Sequence, residues 1–371
     1  MAFSTHEQQH QLLSNLHGGA TSAPPPTPSN NNNNLLSSPD AADALSRLLH
    51  RLPPNLSLPN RRSSSSATAP PSLSFSSLTP NELLSSVSNL GYVQLTNHSV
   101  SSELANSAES ESLKLFDLSR DQKESFLPQN WPLGYEGGDN DDDDGVAESF
   151  RLDLPCSTVS DELKLDSLSE FARALEKVGL NIIDMLTKGL GVVNPVEEDP
   201  TRFSSIMWIS ECLAGNKPGS RSGFYPFIIG LQYQIRCQKH SLLSDSSGWV
   251  SVLPHVDSIL VTVGDIAQVW SNGKLKKVRG RPMATLGDEN GSRCITMSLL
   301  ITLPTESNVA PLLPIGFKDK VEEDDEEEEN NIGGEVHKRV FNNIDFEDYA
   351  WRVYHECLLF KDPLDRYRVT Q

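Results

Sequence analysis

The residues best suited to chemistry are a histidine and an aspartate two positions apart, in His255-Val256-Asp257. An imidazole and a carboxylate can supply two ligands to a transition-metal ion, which needs at least one further ligand to complete its set. The nearest downstream histidine is His337, which lies beyond an acidic run at 322–329. Pro254 precedes the pair, and aspartate often bonds to nearby backbone in turns, so the residues also fit a plain turn. The sequence favours the turn.

A cluster of basic side chains is the second candidate, at Lys274, Lys276, Lys277, Arg279 and Arg281. These residues alternate along a predicted strand and its exit. The pattern favours a solvated strand edge, which also prevents edge-to-edge association. An anion-binding patch is the alternative.

Two acidic runs carry much of the net charge of −19. Five aspartates lie within 139–144, and eight acids fill 322–329. Blocks of like charge are typical of solvated loops. The first run lacks the bidentate glutamate at the twelfth position of an EF-hand, so we expect no calcium site there. The chain has no basic footprint for nucleic acid, which excludes that class of partner.

The first 77 residues differ in composition from the rest of the chain and bear on disorder and targeting. The chain has 371 residues and 37% hydrophobic residues, below the usual share of roughly 45–50%, and 1–77 contain proline, asparagine and serine runs. We expect this tail to be disordered. It is serine-rich like a transit peptide, but Glu7 and the absence of arginine before Arg47 favour a plain tail. The sequence shows no membrane span, secretory signal or CxxC pair, and its five cysteines are widely separated, which indicates an intracellular protein. We expect a cytoplasmic location, with the nucleus as a second compartment.

The remaining chain divides into a helical region at 78–200 and a β-rich region at 201–371. Thr79-Pro80-Asn81-Glu82 is a helix start, and helices are predicted at about 102–116 and from Leu168 to a cap near Gly191. Strands are predicted at 206–209, 231–235, 249–252, 259–263 and 294–301. An acidic loop at 321–331 and a helix near 346–360 follow. The predicted fold class is α+β, mainly β.

Several motifs carry a family resemblance over about 78–370. The segments are Leu90-Gly-Tyr-Val-Gln-Leu-Thr-Asn-His98, Phe116-Asp-Leu-Ser-Arg-Asp-Gln-Lys123, Gly230-Leu-Gln232, Gly248-Trp-Val-Ser-Val-Leu-Pro254, Val263-Gly-Asp-Ile-Ala-Gln-Val-Trp-Ser-Asn-Gly273 and Leu364-Asp-Arg-Tyr-Arg368. Together they resemble the plant Fe(II)/2-oxoglutarate-dependent dioxygenases, especially the gibberellin 2-oxidase-like branch. The resemblance implies a double-stranded β-helix (jelly roll) and the cofactors Fe(II) and 2-oxoglutarate.

The iron ligands of that family are not found in register. The family's His-x-Asp precedes G-L-Q, but the chain has no histidine between His98 and His240. The family's second histidine falls on Gly280. His98 matches a position outside the metal site, which implies a structural role. His255 and Asp257 remain as out-of-register candidates, and His240 and His337 are further histidines from which another site could assemble.

The 2-oxoglutarate site also differs from the pattern. The family pairs an arginine with a serine two residues later, and the corresponding residues here are Arg293 and Thr296. They are three apart, so a regular strand points them to opposite faces. Either a bulge restores the pair or one residue has left the pocket.

Two functions follow. The chain is an enzyme that oxidises a small plant metabolite of the gibberellin-like or specialised kind, or it is a non-catalytic homologue that needs no cofactor and binds a ligand or a protein. The resemblance favours the first, and the missing ligands favour the second.

Overall fold

The computed structural model describes residues 67–137, 148–154, 163–198, 202–212, 224–285, 294–312, 339–356 and 362–369. Its helices are α1 (Pro80–Val87), α2 (Ser102–Phe116), α3 (Arg120–Phe126), α4 (Asp166–Leu190), α5 (Pro195–Glu198), α6 (Asp265–Trp270) and α7 (Phe346–Glu356). Its strands are β1 (Ser72–Ser74), β2 (Tyr92–Thr96), β3 (Gly134–Glu136), β4 (Ser149–Asp153), β5 (Ser204–Cys212), β6 (Ile229–Tyr233), β7 (Lys239–Ser244), β8 (Gly248–Val252), β9 (Ile259–Val263), β10 (Val278–Thr285), β11 (Cys294–Thr302), β12 (Asn308–Val309) and β13 (Ile344–Asp345). The predicted acidic loop lies outside these ranges, as do residues 1–66 of the predicted tail.

Local sequence explains where the helices begin and end. The Thr79 hydroxyl accepts a hydrogen bond from the Glu82 backbone N–H at 3.4 Å, which caps α1 as predicted. α4 buries a stripe that includes Phe171 and Ile182 and ends at Gly191, whose φ of 69° is the left-handed cap conformation. The predicted starts of α1 and α2 and the predicted end of α4 are confirmed.

Eight strands form a large sheet in the order β1-β2-β9-β6-β11-β5-β4-β3. Helices α2 and α4 cover one of its faces. Ser112 of α2 lies 3.4 Å (Oγ to Sδ) from Met297 of β11. Ser205 of β5 donates a hydrogen bond to Glu176 of α4 at 2.6 Å.

A second sheet, in the order β10-β7-β8, faces the other side of the large sheet. Tyr92 and Leu260 of the large sheet pack in one buried cluster with Leu242, Val252 and Val278 of the small sheet. The two sheets therefore enclose a common interior, which is the architecture expected of the jelly roll. None of the described helices has the length and apolar composition to cross a bilayer.

The region boundaries differ from the sequence prediction at the N-terminal end. β1 lies inside the stretch 1–77 that we predicted to be disordered. This segment forms a strand because it pairs with β2 and buries Leu73. The predicted boundary at residue 78 is therefore too late. Strands β3 and β4 also lie inside the predicted helical region and extend the large sheet.

The G-L-Q match also needs correction. Gly230–Gln232 lies on β6 in the large sheet, and the strand that forms a hairpin with β8 is β7. A tripeptide is too short to fix a strand's identity, whereas backbone pairing does. The stretch before this hairpin, where the family's His-x-Asp is expected, therefore extends to Gln238, and it still contains no histidine.

Candidate functional site

One row of directly paired residues crosses the inner face of the large sheet. Arg151 of β4 lies opposite Trp208 of β5, which lies opposite Ser298 of β11, which lies opposite Gln232 of β6. Residues paired in this way point to the same side of a sheet. All four are buried, and Leu260, the next member of the row, belongs to the interior apolar cluster. The row therefore lines the barrel interior.

Three side chains of this row hold buried polar atoms without a hydrogen-bond partner. These atoms are Arg151 Nε and Nη2, Ser298 Oγ and Gln232 Oε1. Buried polar groups in native proteins nearly always have a partner, which can be protein, water or a ligand. These atoms therefore lack a partner that bound water or a ligand would supply.

His240 is the histidine that reaches this interior from the small sheet. Its Nε2 lies 2.8 Å from Gln234 Oε1, and the Gln234 amide donates to the Gln232 carbonyl at 3.1 Å. Burial lowers the pKa of His240 to about 4, so the ring is neutral at pH 7. Because the Gln234 oxygen accepts, Nε2 carries the proton and Nδ1 is left as a buried acceptor without a partner. A cavity of about 20 Å³ beside these side chains has room for one water molecule.

These residues do not fit an iron ion. Within the described ranges, no three histidine, cysteine, aspartate or glutamate side chains come together as a metal site. The sequence has no histidine at 99–239 or 256–336, so β4, β5, β6, β9, β10 and β11 supply none. The cavity beside His240 is lined by the amides of Gln232 and Gln234 and by the Glu109 carboxylate, which is already ion-paired with Arg236. A non-haem Fe(II) centre takes two imidazoles and a free carboxylate instead.

The out-of-register pair lies in an exposed turn, as the sequence favoured. The His255 backbone N–H donates to Gln94 Oε1 at 2.9 Å, so its side chain makes no contribution to this contact. Asp257 has a φ of 57°, and its carboxylate accepts a hydrogen bond from the Tyr233 hydroxyl at 3.0 Å. Both side chains are exposed. The alternative that His255 and Asp257 are metal ligands stays a prediction.

His98, two residues after the end of β2, holds this turn in place. Its Nδ1 accepts from the Val100 backbone N–H at 3.2 Å, so its Nε2 carries the proton that bonds the Asp257 carbonyl at 3.0 Å. Burial lowers the pKa of His98, and the hydrogen bond and charge of Asp257 oppose that shift. A neutral, fully bonded ring agrees with the structural role that the resemblance implied.

The two predicted cosubstrate residues are not seen together. Arg293 lies outside the described residues. Thr296 is buried on β11, and its hydroxyl is 2.8 Å from the Ser210 hydroxyl. The pairing of β10 with β7 shifts register between Arg279 and Met283, so the ladder is interrupted around Gly280, where the family's second histidine is expected.

A second cluster surrounds Arg151, which sequence reasoning missed. Its Nη1 donates to the Tyr354 hydroxyl at 2.6 Å and lies 3.3 Å from Glu136 Oε2. The guanidinium carbon lies 5.3 Å from the centre of the Trp208 ring and 4.9 Å from that of Tyr354. Burial raises the pKa of Tyr225, and the nearby charge of Arg151 opposes the shift. The residues come from β3, β4, β5, α7 and the segment before β6, so no local pattern marks the cluster.

Sequence comparisons agree with the resemblance. Residues 71–164 match the family described as non-haem dioxygenase in morphine synthesis, N-terminal. The chain is 26% identical to 1-aminocyclopropane-1-carboxylate oxidase 2 of Doritaenopsis sp., over 74% of this chain and 84% of that protein. It is also 26% identical to gibberellin 2-beta-dioxygenase 1 of Arabidopsis thaliana, over 54% of this chain and 69% of that protein.

Solved structures share the fold. JOX2 in complex with 2OG, Fe and JA superposes with a TM-score of 0.62 at 16% identity, covering 87% of this chain and 97% of that one. The rice dioxygenase for auxin oxidation superposes with a TM-score of 0.59 at 18% identity, covering 81% of this chain and 99% of that one. The jelly roll, the N-terminal dioxygenase match and these relatives together support the resemblance of this chain to the Fe(II)/2-oxoglutarate-dependent dioxygenase superfamily.

Proposed function

We propose that this chain keeps the dioxygenase fold without the iron-dependent reaction, and that its barrel binds a small organic molecule. The observation that carries the proposal is the environment of His240. Its ring is neutral, buried and bonded to the Gln234 amide, and the barrel strands β5, β6, β9, β10 and β11 hold no second histidine. The alternative is an active dioxygenase of plant small-molecule metabolism, which the family resemblance by itself favours.

The interior row supports the binding part of the proposal. Arg151, Ser298 and Gln232 present unpartnered polar atoms on the face that lines the interior. The relatives' names point to small molecules, since they include gibberellin and 1-aminocyclopropane-1-carboxylate, and JOX2 was solved with JA. A ligand of that size class, held without turnover, is the function that these features favour.

Iron loading tests the proposal directly. We expect the purified full chain, incubated anaerobically with Fe(II) and 2-oxoglutarate, to retain no stoichiometric iron after desalting and to form no succinate when oxygen is admitted. The reason is that a single neutral histidine cannot replace a three-ligand set. A gibberellin 2-beta-dioxygenase treated in parallel is the positive control. Stoichiometric iron together with succinate would establish the active dioxygenase instead.

The turn at His255 gives a separate expectation. Replacing His255 with alanine and Asp257 with asparagine should change the free energy of unfolding by within about 0.5 kcal/mol. Asparagine tolerates the left-handed φ and still accepts the Tyr233 hydrogen bond, whereas Asp257→Ala loses both and should cost about 1–2 kcal/mol. Urea unfolding measures the difference, and metal content is read on the same samples. Iron that is present in the wild type and absent from the double variant would assign the pair as ligands.

A further inference from the structure

Among the described residues, only one of the three guanidinium nitrogens of Arg151 has a hydrogen-bond partner. Its side chain is 1% exposed, and Nη1 is occupied by Tyr354 and Glu136. Nε and Nη2 are both buried and have no hydrogen-bond partner. These two donors lie on the same edge of the guanidinium, and their N–H bonds run nearly parallel.

An edge of this kind matches one ligand chemistry closely. The paired donors of a guanidinium form two parallel hydrogen bonds with the two oxygens of a carboxylate. Leaving two donors of a charged, buried group unsatisfied is costly, so a native structure is expected to supply their partner. At Arg236 a guanidinium does hold a carboxylate with two hydrogen bonds, through its other edge: Nη1 and Nη2 donate to Glu109 at 2.5 Å and 2.7 Å.

The surroundings of Arg151 indicate what the rest of the ligand is like. Trp131 packs edge-on against both Tyr225 and Tyr354, with ring centres 5.9 Å and 6.4 Å apart. Tyr354 and Trp208 lie against the guanidinium itself. Trp131 is half-buried and the Glu136 side chain is 25% exposed, so the cluster lies directly beneath the surface. Aromatic walls with one cationic fork suit a flat, apolar body that ends in an acid.

We propose that the Nε–Nη2 edge of Arg151 binds the carboxylate of a small aromatic acid. The proposal deepens the proposed function and rests on it for the idea that the barrel binds a ligand without turnover. Ser298 and Gln232, farther along the same row, lie about 10 and 15 Å from the Arg151 strand by sheet spacing. They are placed to bond polar atoms at the far end of a longer ligand.

Calorimetric titration of the full chain with phenylacetate tests this assignment, with phenylacetamide as the uncharged probe of the same shape. We expect phenylacetate to bind and the amide to bind about 10- to 100-fold more weakly, since paired charge-assisted hydrogen bonds are lost. Arg151→Met and Arg151→Lys should weaken phenylacetate binding by a similar factor, because lysine keeps the charge but not the fork. Arg236→Met, which removes a guanidinium whose fork is filled, should leave the affinity unchanged.

A gain-of-affinity variant separates binding from a purely structural role. Glu136→Gln removes the carboxylate that shares the guanidinium, so phenylacetate should bind about threefold more tightly. If the Arg151 variants fail to fold, two measurements still test the proposal: the affinity of Glu136→Gln, and the comparison of phenylacetate with phenylacetamide on the wild type. Equal binding of acid and amide, unchanged affinity in Arg151→Lys, or no binding of either probe would overturn the proposal, the last pointing to buried water only. None of these outcomes bears on the iron and succinate measurements, which test the proposed function separately.

Discussion

Replacing Lys277 with methionine should lower the free energy of unfolding by about 3–5 kcal/mol. The Lys277 side chain is fully buried, and its Nζ lies 2.5 Å from Asp265 Oδ1 and 2.6 Å from Asp362 Oδ1. Methionine keeps the apolar length of the side chain but leaves two buried carboxylates without their cation. Removing one partner of a buried ion pair leaves an uncompensated charge, which costs far more than the intact pair contributes.

The neighbouring lysine supplies the matched control. Lys276 is exposed, so Lys276→Met should change stability by within about 0.5 kcal/mol. Asp362 also accepts a hydrogen bond from the Leu364 backbone N–H at 3.0 Å and so anchors the C-terminal 3-10 turn Pro363–Tyr367. Urea unfolding of both variants measures the difference. If Lys277→Met unfolds at the same urea concentration as Lys276→Met, the buried triad does not stabilise the fold.

The pH dependence of the wild-type advantage over Lys277→Met has a definite sign. Burial by itself raises the pKa of Asp362, but the Lys277 ammonium more than reverses this and holds it below its usual value of 3.8. Burial opposes the charge of Lys277, yet Asp265 and Asp362 raise its pKa above 10.5. The carboxylate contribution is therefore complete above about pH 4 and is lost as pH falls through the depressed pKa. The lysine contribution is complete below about pH 10 and is lost as pH rises through the raised pKa.

Lys277 shows what the sequence could not reveal about charge. The alternation of basic residues from Lys274 to Arg281 favoured a solvated strand edge, and Lys276 is indeed exposed. Lys277 is buried instead, where its ammonium contacts the Asp362 carboxylate. Asp362 lies 85 positions away along the chain. A pattern within one segment carries no information about such a partner. The prediction of a solvated edge is therefore wrong for this residue.

Elements defined by local chemistry were predictable, and elements defined by pairing were not. The cap at Thr79, the apolar stripe of α4 and the run of β-branched residues in β9 each carry their own signal. β1, β3 and β7 are short or polar, and they become strands only because a neighbouring strand supplies their hydrogen bonds. The site follows the same rule. The missing iron ligands are a property of the sequence, whereas the cluster around Arg151 joins segments spread over 200 residues and appears only once the chain is folded.

Gly264 holds the segment before β6 in place through close contact with Phe227. Gly264→Ala should lower the free energy of unfolding by about 3 kcal/mol, at the upper end of the cost of overpacking. A Cβ at this position would lie 2.0 Å from the Phe227 carbonyl oxygen and 2.5 Å from Phe227 Cδ2. The Gly264 N–H donates to the Ile228 carbonyl at 2.9 Å, so the same two backbones are also joined by a hydrogen bond. Neither backbone can move away without breaking it.

Gly191→Ala is the control, because a Cβ there meets no atom within 4 Å and only the positive φ of 69° opposes the change. That strain should cost about 1–2 kcal/mol, the usual penalty for a left-handed residue with a side chain. Urea unfolding of the two variants therefore separates steric contact from backbone conformation. Phe227 lies two residues after Tyr225, so the clamp at Gly264 also positions one wall of the Arg151 cluster. Equal costs for the two alanine variants would show that the segment before β6 yields to the added methyl group, and that its position is not fixed by this contact.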